Sequence, residues 1–175
     1  VPLPADLLGA QALVAWGNPT PLLADAARRM PDLRWVQTLA AGPDAVLAAG
    51  FGPHVTVTPG RGLHDGPVAE HTLALVLAAA RRLPELVRAQ DEHRWADELG
   101  GMQRLPHEGG EFRSLSGARV LIWGFGSIAA RLAPLLTVLG AQVVGVASRA
   151  GQRAGYQVIT PAEVPATLPG IDVLI

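Results

Sequence analysis

The stretch LIWGFGSIAARLA, Leu121–Ala133, decides the fold. An apolar run, RVLIW over Arg119–Trp123, reads as a buried strand, with Trp123 expected in packed core. It leads into Gly124-Phe125-Gly126. From Ser127 to Leu139 apolar residues recur at helical spacing, with Ile128, Leu132, Leu135, Leu136 and Leu139 on one face. Gly140 stands where a left-handed helix cap belongs, and Gln142–Ala147 reads as the next strand. A strand, a glycine turn, a helix and a second strand within about thirty residues form the context that a phosphate-binding G-x-G-x-x-G turn requires. Gly124 allows the tight turn, and Gly126 lets a pyrophosphate approach the backbone. The helix start at Ser127 and Ile128 offers free amides and the positive end of the helix dipole. The third glycine position is Ala129, where a methyl is tolerated between helix and strand. The alternative is a strand–helix turn with no ligand.

The end of the second strand selects the cofactor. A site for NAD has a carboxylate about twenty residues after the first glycine, to bind the ribose hydroxyls. This sequence has Val146-Ala147-Ser148-Arg149 there, with no acid. A hydroxyl and a guanidinium suit a phosphate monoester. Ser148 and Arg149 are therefore expected to contact the cofactor, with NADPH preferred over NADH. The alternative is a solvated Arg149.

Upstream, Ala12–Trp16 reads as a strand, Thr20–Met30 as an amphipathic helix, and Trp35–Leu39 and Val55–Thr58 as further strands. Such alternation suggests a small parallel α/β unit. Pro59–Pro67, with Gly60, Gly62 and Gly66, reads as a loop. A long helix is expected from Val68 to about Trp95, kinked at Pro84. Between Leu73 and Ala80 it is apolar all round, so it is expected between domains or subunits. Leu99–Ser116, with four glycines and a proline, reads as a loop.

The totals exclude several function classes. Fourteen basic and fifteen acidic side chains leave a formal net charge of −1, so there is no electrostatic footprint for nucleic acid or an anionic membrane. Cysteine is absent, which removes disulfides, thiolate catalysis and cysteine metal sites and fits a cytoplasmic location. The longest apolar run, Leu73–Ala80, is too short to span a bilayer. No metal site is expected: His54, His64, His71, His93 and His107 fall into no ligand spacing. His64 and Arg61 lie on the glycine-rich loop, and His107 sits beside Glu108 in another; solvated loops are the expectation for all of them. Arg81 and Arg82 are expected either against a partner subunit or on a solvated helix face.

With the βαβ unit in place, a wider pattern appears in LRWVQTLAAGPDAVL (Leu33–Leu47), VTVTPGRGLHDGPVAEHTLALVLAAARRLP (Val55–Pro84) and LSGARVLIWGFGSIAARLAPLLTVLGAQVVGVASRA (Leu115–Ala150). In order and spacing these blocks resemble the D-isomer-specific 2-hydroxyacid dehydrogenases, the family of glyoxylate/hydroxypyruvate reductases and phosphoglycerate dehydrogenase. The Ser148-Arg149 pair looks like the NADPH-preferring glyoxylate/hydroxypyruvate branch.

The resemblance implies an α/β architecture: an incomplete flavodoxin-like substrate domain over 1–66, a long interdomain and dimer helix over 67–98, a loop over 99–117, and the first half of a Rossmann domain over 118–175. It implies an active site in the cleft between the two domains and a homodimer through the 68–95 helix. Backbone amides of Ala40, Ala41 and Gly42 would hold the carboxylate of a small 2-keto or 2-hydroxy acid; an ordinary Gly-Pro turn is the alternative. Glu70 and His71 match a helix-start motif and are expected to be structural, the glutamate in the first turn.

Reduction of a 2-keto acid needs a hydride, a cation on the carboxylate and a general acid. In the family, the arginine, the acid and its carboxylate partner come from a segment with no counterpart before Ile175. No catalytic residue is therefore expected within the chain, which should be inactive alone. The sequence begins at Val1, not Met, and ends in a run that reads as a strand, so a fragment of a longer protein is expected, with the Arg119–Trp123 strand left as an open edge. A cofactor-sensing module of the corepressor type and an inactive remnant are the alternatives.

Overall fold

The computed structural model describes residues 3–99 and 112–175, and the chain divides between His64 and Asp65 into two compact units. Most of the expected 99–117 loop, with His107 and Glu108, lies outside the described residues.

In the first unit, β1 (Ala12–Ala15), β2 (Trp35–Thr38) and β3 (Thr56–Thr58) form a parallel sheet in that order. The register places Val36 opposite Leu13 and Val57. Side chains alternate across a strand, so Leu13, Ala15 and Val36 face one way, toward α1 (Thr20–Arg29) and α2 (Asp44–Ala48). Leu23, Ala26 and Met30 complete this core. Helix α1 starts with Pro21 in its first turn, where the missing N–H costs nothing, and carries Arg28 and Arg29 at its negative end. The opposite sheet face carries Val14, Trp16 and Trp35, all exposed.

The second unit starts with α3 (Asp65–Ala80) and α4 (Leu83–Asp91). The single kinked helix expected over 68–95 is thus two helices. Pro84 cannot donate to the carbonyl of Ala80, and Arg82 takes a left-handed conformation (φ 53°) as the N-cap of α4. The first helix begins three residues earlier than expected, inside the Pro59–Pro67 segment. Asp65, not Glu70, therefore occupies its first turn. Trp95 falls outside both helices and is exposed. The face of α3 formed by Ala69, Val76 and Ala80 is buried, whereas Leu75 on the same apolar run is exposed.

Next come β4 (Arg119–Trp123), α5 (Ser127–Val138), β5 (Gln142–Val146), β6 (Gly151–Arg153), β7 (Tyr156–Ile159), α6 (Val164–Thr167) and β8 (Val173–Leu174). The sheet order is β6-β7-β5-β4-β8, parallel except for the β6–β7 hairpin. Strand β4 therefore lies between β5 and β8 rather than at an edge. Sequence periodicity did not reveal the hairpin. Its turn is Ala154-Gly155, both at positive φ, as the twist of a two-residue hairpin demands.

Helix α5 packs against α3 and the sheet through Ala129, Leu132, Ala133 and Leu136. The buried stripe is one residue round from the expected face: Ile128, Leu135 and Leu139 are exposed, and alanines take the close contacts. Leu132 and Leu136 are almost wholly buried, each contributing about 1.5–3 kcal/mol of hydrophobic stabilisation. Gly140 takes the left-handed cap (φ 92°).

Candidate functional site

The glycine turn sits at the C-terminal end of β4, where the chain reaches its neighbours in opposite directions, β5 on one side and β8 on the other. Ligands of open α/β sheets bind at such a reversal of strand order. The Val146 carbonyl of β5 accepts from the amides of Gly124 (3.0 Å) and Phe125 (2.9 Å), which binds the turn to the adjacent strand end. Gly124 has φ 106°, a conformation that side chains rarely adopt. The Gly126 amide donates to the Gly124 carbonyl (2.9 Å), closing the turn.

This geometry fits a dinucleotide pyrophosphate. A Cβ built at Gly126 meets nothing within 4 Å, so open space lies directly over the backbone. The amides of Ser127 and Ile128, in the first turn of α5, have no acceptor among the described residues, and both residues are exposed. Ala129 at the third position is buried between helix and sheet. Trp123, expected in the core, is 55% exposed: it is the last residue of β4 and points away from the buried Ile122 face.

Ser148 and Arg149 follow β5 directly and are both exposed. Arg149 forms no ion pair with a carboxylate among the described residues. Two features of this site were not legible in the sequence. Phe125 is buried, its ring 5.9 Å from that of Tyr156 and pressed against the bare α-carbon of Gly145. Arg153 of β6 donates to the Phe125 carbonyl (3.3 Å) and the Arg149 carbonyl (3.5 Å).

In the first unit, Ala40, Ala41 and Gly42 are exposed after β2. The Ala40 amide already donates to Thr38 Oγ1 (3.1 Å), and its carbonyl accepts from Gly60 (2.9 Å). Ala41 and Gly42 keep amides with no acceptor among the described residues. The carboxylate of Asp44 lies over Gly42: a Cβ built there would be 2.7 Å from Asp44 Oδ2. An anion on this loop must turn that carboxylate aside. In the sequence alone Asp44 looks like an ordinary first-turn acid of α2. A cavity of about 160 Å³ adjoins the loop, walled by Trp16, Asn18, Leu23 and Thr38 among others. His64, expected to be merely solvated, is exposed yet places Nε2 2.9 Å from the Leu39 carbonyl. Glu70 and His71 lie exposed on α3. A larger hollow of about 650 Å³ runs along α4 past Trp95 and touches neither loop. Among the described residues, no cluster of three metal-ligating side chains occurs, and no helix is long and apolar enough to cross a membrane.

The sequence profile of the NAD binding domain of D-isomer specific 2-hydroxyacid dehydrogenases matches residues 73–175. A D-isomer specific 2-hydroxyacid dehydrogenase family protein from Aeromonas salmonicida is 27% identical, over 97% of this chain and 50% of that one, with a TM-score of 0.77. Another, from Xanthobacter autotrophicus in complex with NADPH and MES, is 27% identical over 94% of this chain and 48% of that one, with a TM-score of 0.66. An NADPH-dependent glyoxylate/hydroxypyruvate reductase from Sinorhizobium meliloti, in complex with NADP and sulfate, shares the fold at 20% identity, over 98% of this chain and 51% of that one, with a TM-score of 0.70. The chain thus spans about half the length of the solved relatives it matches. No curated protein matches its sequence. The parallel sheet and its glycine turn define a Rossmann-type NAD-binding domain. The chain belongs to the D-isomer specific 2-hydroxyacid dehydrogenase family, a family of oxidoreductases.

Proposed function

We propose that this chain carries the cofactor cradle and substrate loop of an NADPH-linked reductase of small 2-keto acids, of the glyoxylate/hydroxypyruvate type. The observation that carries the reading is the end of β5: Ser148 and Arg149 are exposed, and no acid stands there. The amides of Ser127 and Ile128 hold the pyrophosphate over Gly124 and Gly126. The Ser148 hydroxyl and the Arg149 guanidinium would hold the 2′-phosphate through charge-assisted hydrogen bonds. The bound nicotinamide supplies a hydride. The amides of Ala41 and Gly42, with Ala40 anchoring the loop to Thr38, orient the substrate carboxylate. The acid and the cation that complete reduction are not among the described residues of either loop. The 175 residues alone are expected to bind nucleotide without turnover.

The reading extends to assembly and location. The exposed apolar residues Leu75, Leu83 and Val87 on α3 and α4 support a homodimer through this helical segment, measurable as a concentration-dependent mass in sedimentation. The absence of cysteine suits a reducing cytoplasm. The deciding experiment is a pair of dissociation constants for the chain, from quenching of tryptophan fluorescence. NADPH is expected to bind at least tenfold more tightly than NADH, about 1.4 kcal/mol. Equal binding, or tighter binding of NADH, refutes the cofactor assignment.

A further inference from the structure

Arg153 stands apart from the side chains assigned above. It belongs to the β6–β7 hairpin, yet its guanidinium reaches two carbonyls on two different loops. Nη1 donates to Phe125, the middle residue of the glycine turn, at 3.3 Å, and Nη2 to Arg149 at 3.5 Å. Both bonds are long and individually weak. Their significance lies in what they join. The Phe125 carbonyl belongs to the pyrophosphate loop after β4, and the Arg149 carbonyl to the ribose loop after β5. A guanidinium presents a planar fork of donors, so one side chain spans both loops with its two terminal nitrogens. No carboxylate pairs with Arg153 among the described residues, and Arg149 is equally without one. The Arg153 guanidinium thus has two backbone carbonyls as its partners and no carboxylate among the described residues.

We infer that Arg153 is a positioning residue of the cofactor site, adding a side-chain bridge between the pyrophosphate loop and the ribose loop to the bonds that the Val146 carbonyl already makes to the glycine turn. The inference rests on the cofactor reading above, because it concerns the same two loops. It differs from the role given to Arg149. Arg149 contacts the 2′-phosphate and discriminates between the two nicotinamide nucleotides. Arg153 sets the geometry that both nucleotides need. Lysine is no equivalent: its single ammonium cannot reproduce a planar two-nitrogen bridge. Arg153 is exposed on a short edge strand, so its replacement leaves the core intact.

The test compares Arg153→Gln, Arg153→Lys and Arg149→Gln in the 175-residue chain, with NADPH and NADH as probes. Arg153→Gln is expected to weaken both nucleotides by a similar factor of about ten, with Arg153→Lys recovering less than half of that loss on a logarithmic scale, whereas Arg149→Gln weakens NADPH alone. A second readout needs no nucleotide. Loss of a hydrogen bond at a carbonyl shifts the amide nitrogen resonance of the next residue. Arg153→Gln is therefore expected to move the signals of Gly126 and Ala150 and to speed amide exchange at Gly124 and Phe125. Loss of NADPH binding with NADH unchanged would make Arg153 a phosphate ligand and overturn the positioning role. Wild-type resonances and exchange at both loops would overturn it as well. If the wild-type chain binds neither nucleotide, the cofactor reading fails, and the resonances alone decide whether Arg153 bridges the loops.

Discussion

Gly145→Ala tests whether the strand next to the glycine turn shapes it. Gly145 lies inside β5, opposite Ile122 of β4. A Cβ built there would be 2.5 Å from Phe125 Cγ and 2.9 Å from Phe125 Cβ. A change of χ1 can carry Cγ and the ring away, but Cβ is fixed by the backbone, so the 2.9 Å contact remains in every rotamer. The ring is confined further by Tyr156 at 5.9 Å. Either the phenylalanine backbone moves or β5 does. Overpacking of this kind costs about 1–3 kcal/mol. Alanine in a strand interior recovers about 0.5–1 kcal/mol relative to glycine. The net destabilisation is at most about 2.5 kcal/mol, which lowers Tm by up to about 10 °C for a chain of this size. Because Phe125 lies between Gly124 and Gly126, the displacement also disturbs the turn, and NADPH affinity is expected to fall about tenfold. Phe125→Ala alone costs about 3–5 kcal/mol through a cavity. In the double variant the new methyl occupies part of that cavity. The two costs are therefore expected to be non-additive by about 0.5–3 kcal/mol in a double-mutant cycle. Chemical denaturation of the four proteins gives the cycle. Strict additivity, or a Gly145→Ala variant with wild-type Tm and wild-type affinity, would refute the reasoning.

Gly126→Ala is the complementary case: its Cβ meets nothing and its φ of −100° suits any residue, so Tm is expected to change by less than about 2 °C while NADPH binding weakens at least tenfold. Thermal melts with parallel titrations check this, and unchanged affinity would remove the pyrophosphate from this turn. Asp44→Asn takes away the negative charge over Gly42 and is expected to tighten binding of a small 2-keto acid, followed as shifts of the Ala41 and Gly42 amide resonances; weaker binding would show that the loop does not hold an anion. Glu163 accepts hydrogen bonds from the Thr160 amide (2.8 Å) and the Thr160 hydroxyl (2.7 Å), which hold its carboxyl below the ordinary value of 4.5, the amide contributing most. A pKa lowered by folding stabilises the native state above the unfolded value and loses that contribution as pH falls through the folded value. Melts of wild type and Glu163→Gln between about pH 3 and 6 are expected to differ most at the upper end and to converge at the lower; parallel curves would contradict the sign.

Legibility in the sequence followed the length of the local signal. The β4–α5–β5 unit was readable because strand, turn, helix and cap all lie within one contiguous stretch, each with its own residue signature. The left-handed cap at Gly140 is an example. The hairpin of β6 and β7 was invisible because Gly151-Gln152-Arg153 has neither apolar alternation nor a usual turn pair: Ala154 occupies a position that asparagine or glycine normally takes. The buried stripe of α5 differs from the leucine-rich face that hydrophobicity alone selects, because close packing against α3 favours the smaller alanine side chains. The break at Arg82 was half read, since Pro84 marks the interruption but does not say whether the helix bends or ends. At the candidate site, the glycines and the Ser148-Arg149 pair stood out in the sequence by residue type alone. Arg153 and Asp44 did not, because their roles depend on atoms that only the folded backbone brings near.

Strand order has a further consequence, in the timing of assembly. The cradle is built from a continuous segment, and the pairs β4–β5, β5–β7 and β6–β7 all close short loops. The β4–β8 pair instead joins positions 53 residues apart, as in the bond from the Arg119 amide to Asp172 Oδ2 (2.7 Å). Closing a longer loop costs more chain entropy before any contact repays it. The cofactor end of the sheet is therefore expected to condense first, with β8 added last. Folding φ-values are expected to be high at Leu121 and Leu132 and near zero at Val173, and the reverse order would contradict it. A segment that organises its ligand loops before its distant strand arrives would be open to nucleotide while incompletely folded, so NADPH present during refolding is expected to act as a template and raise the folding rate.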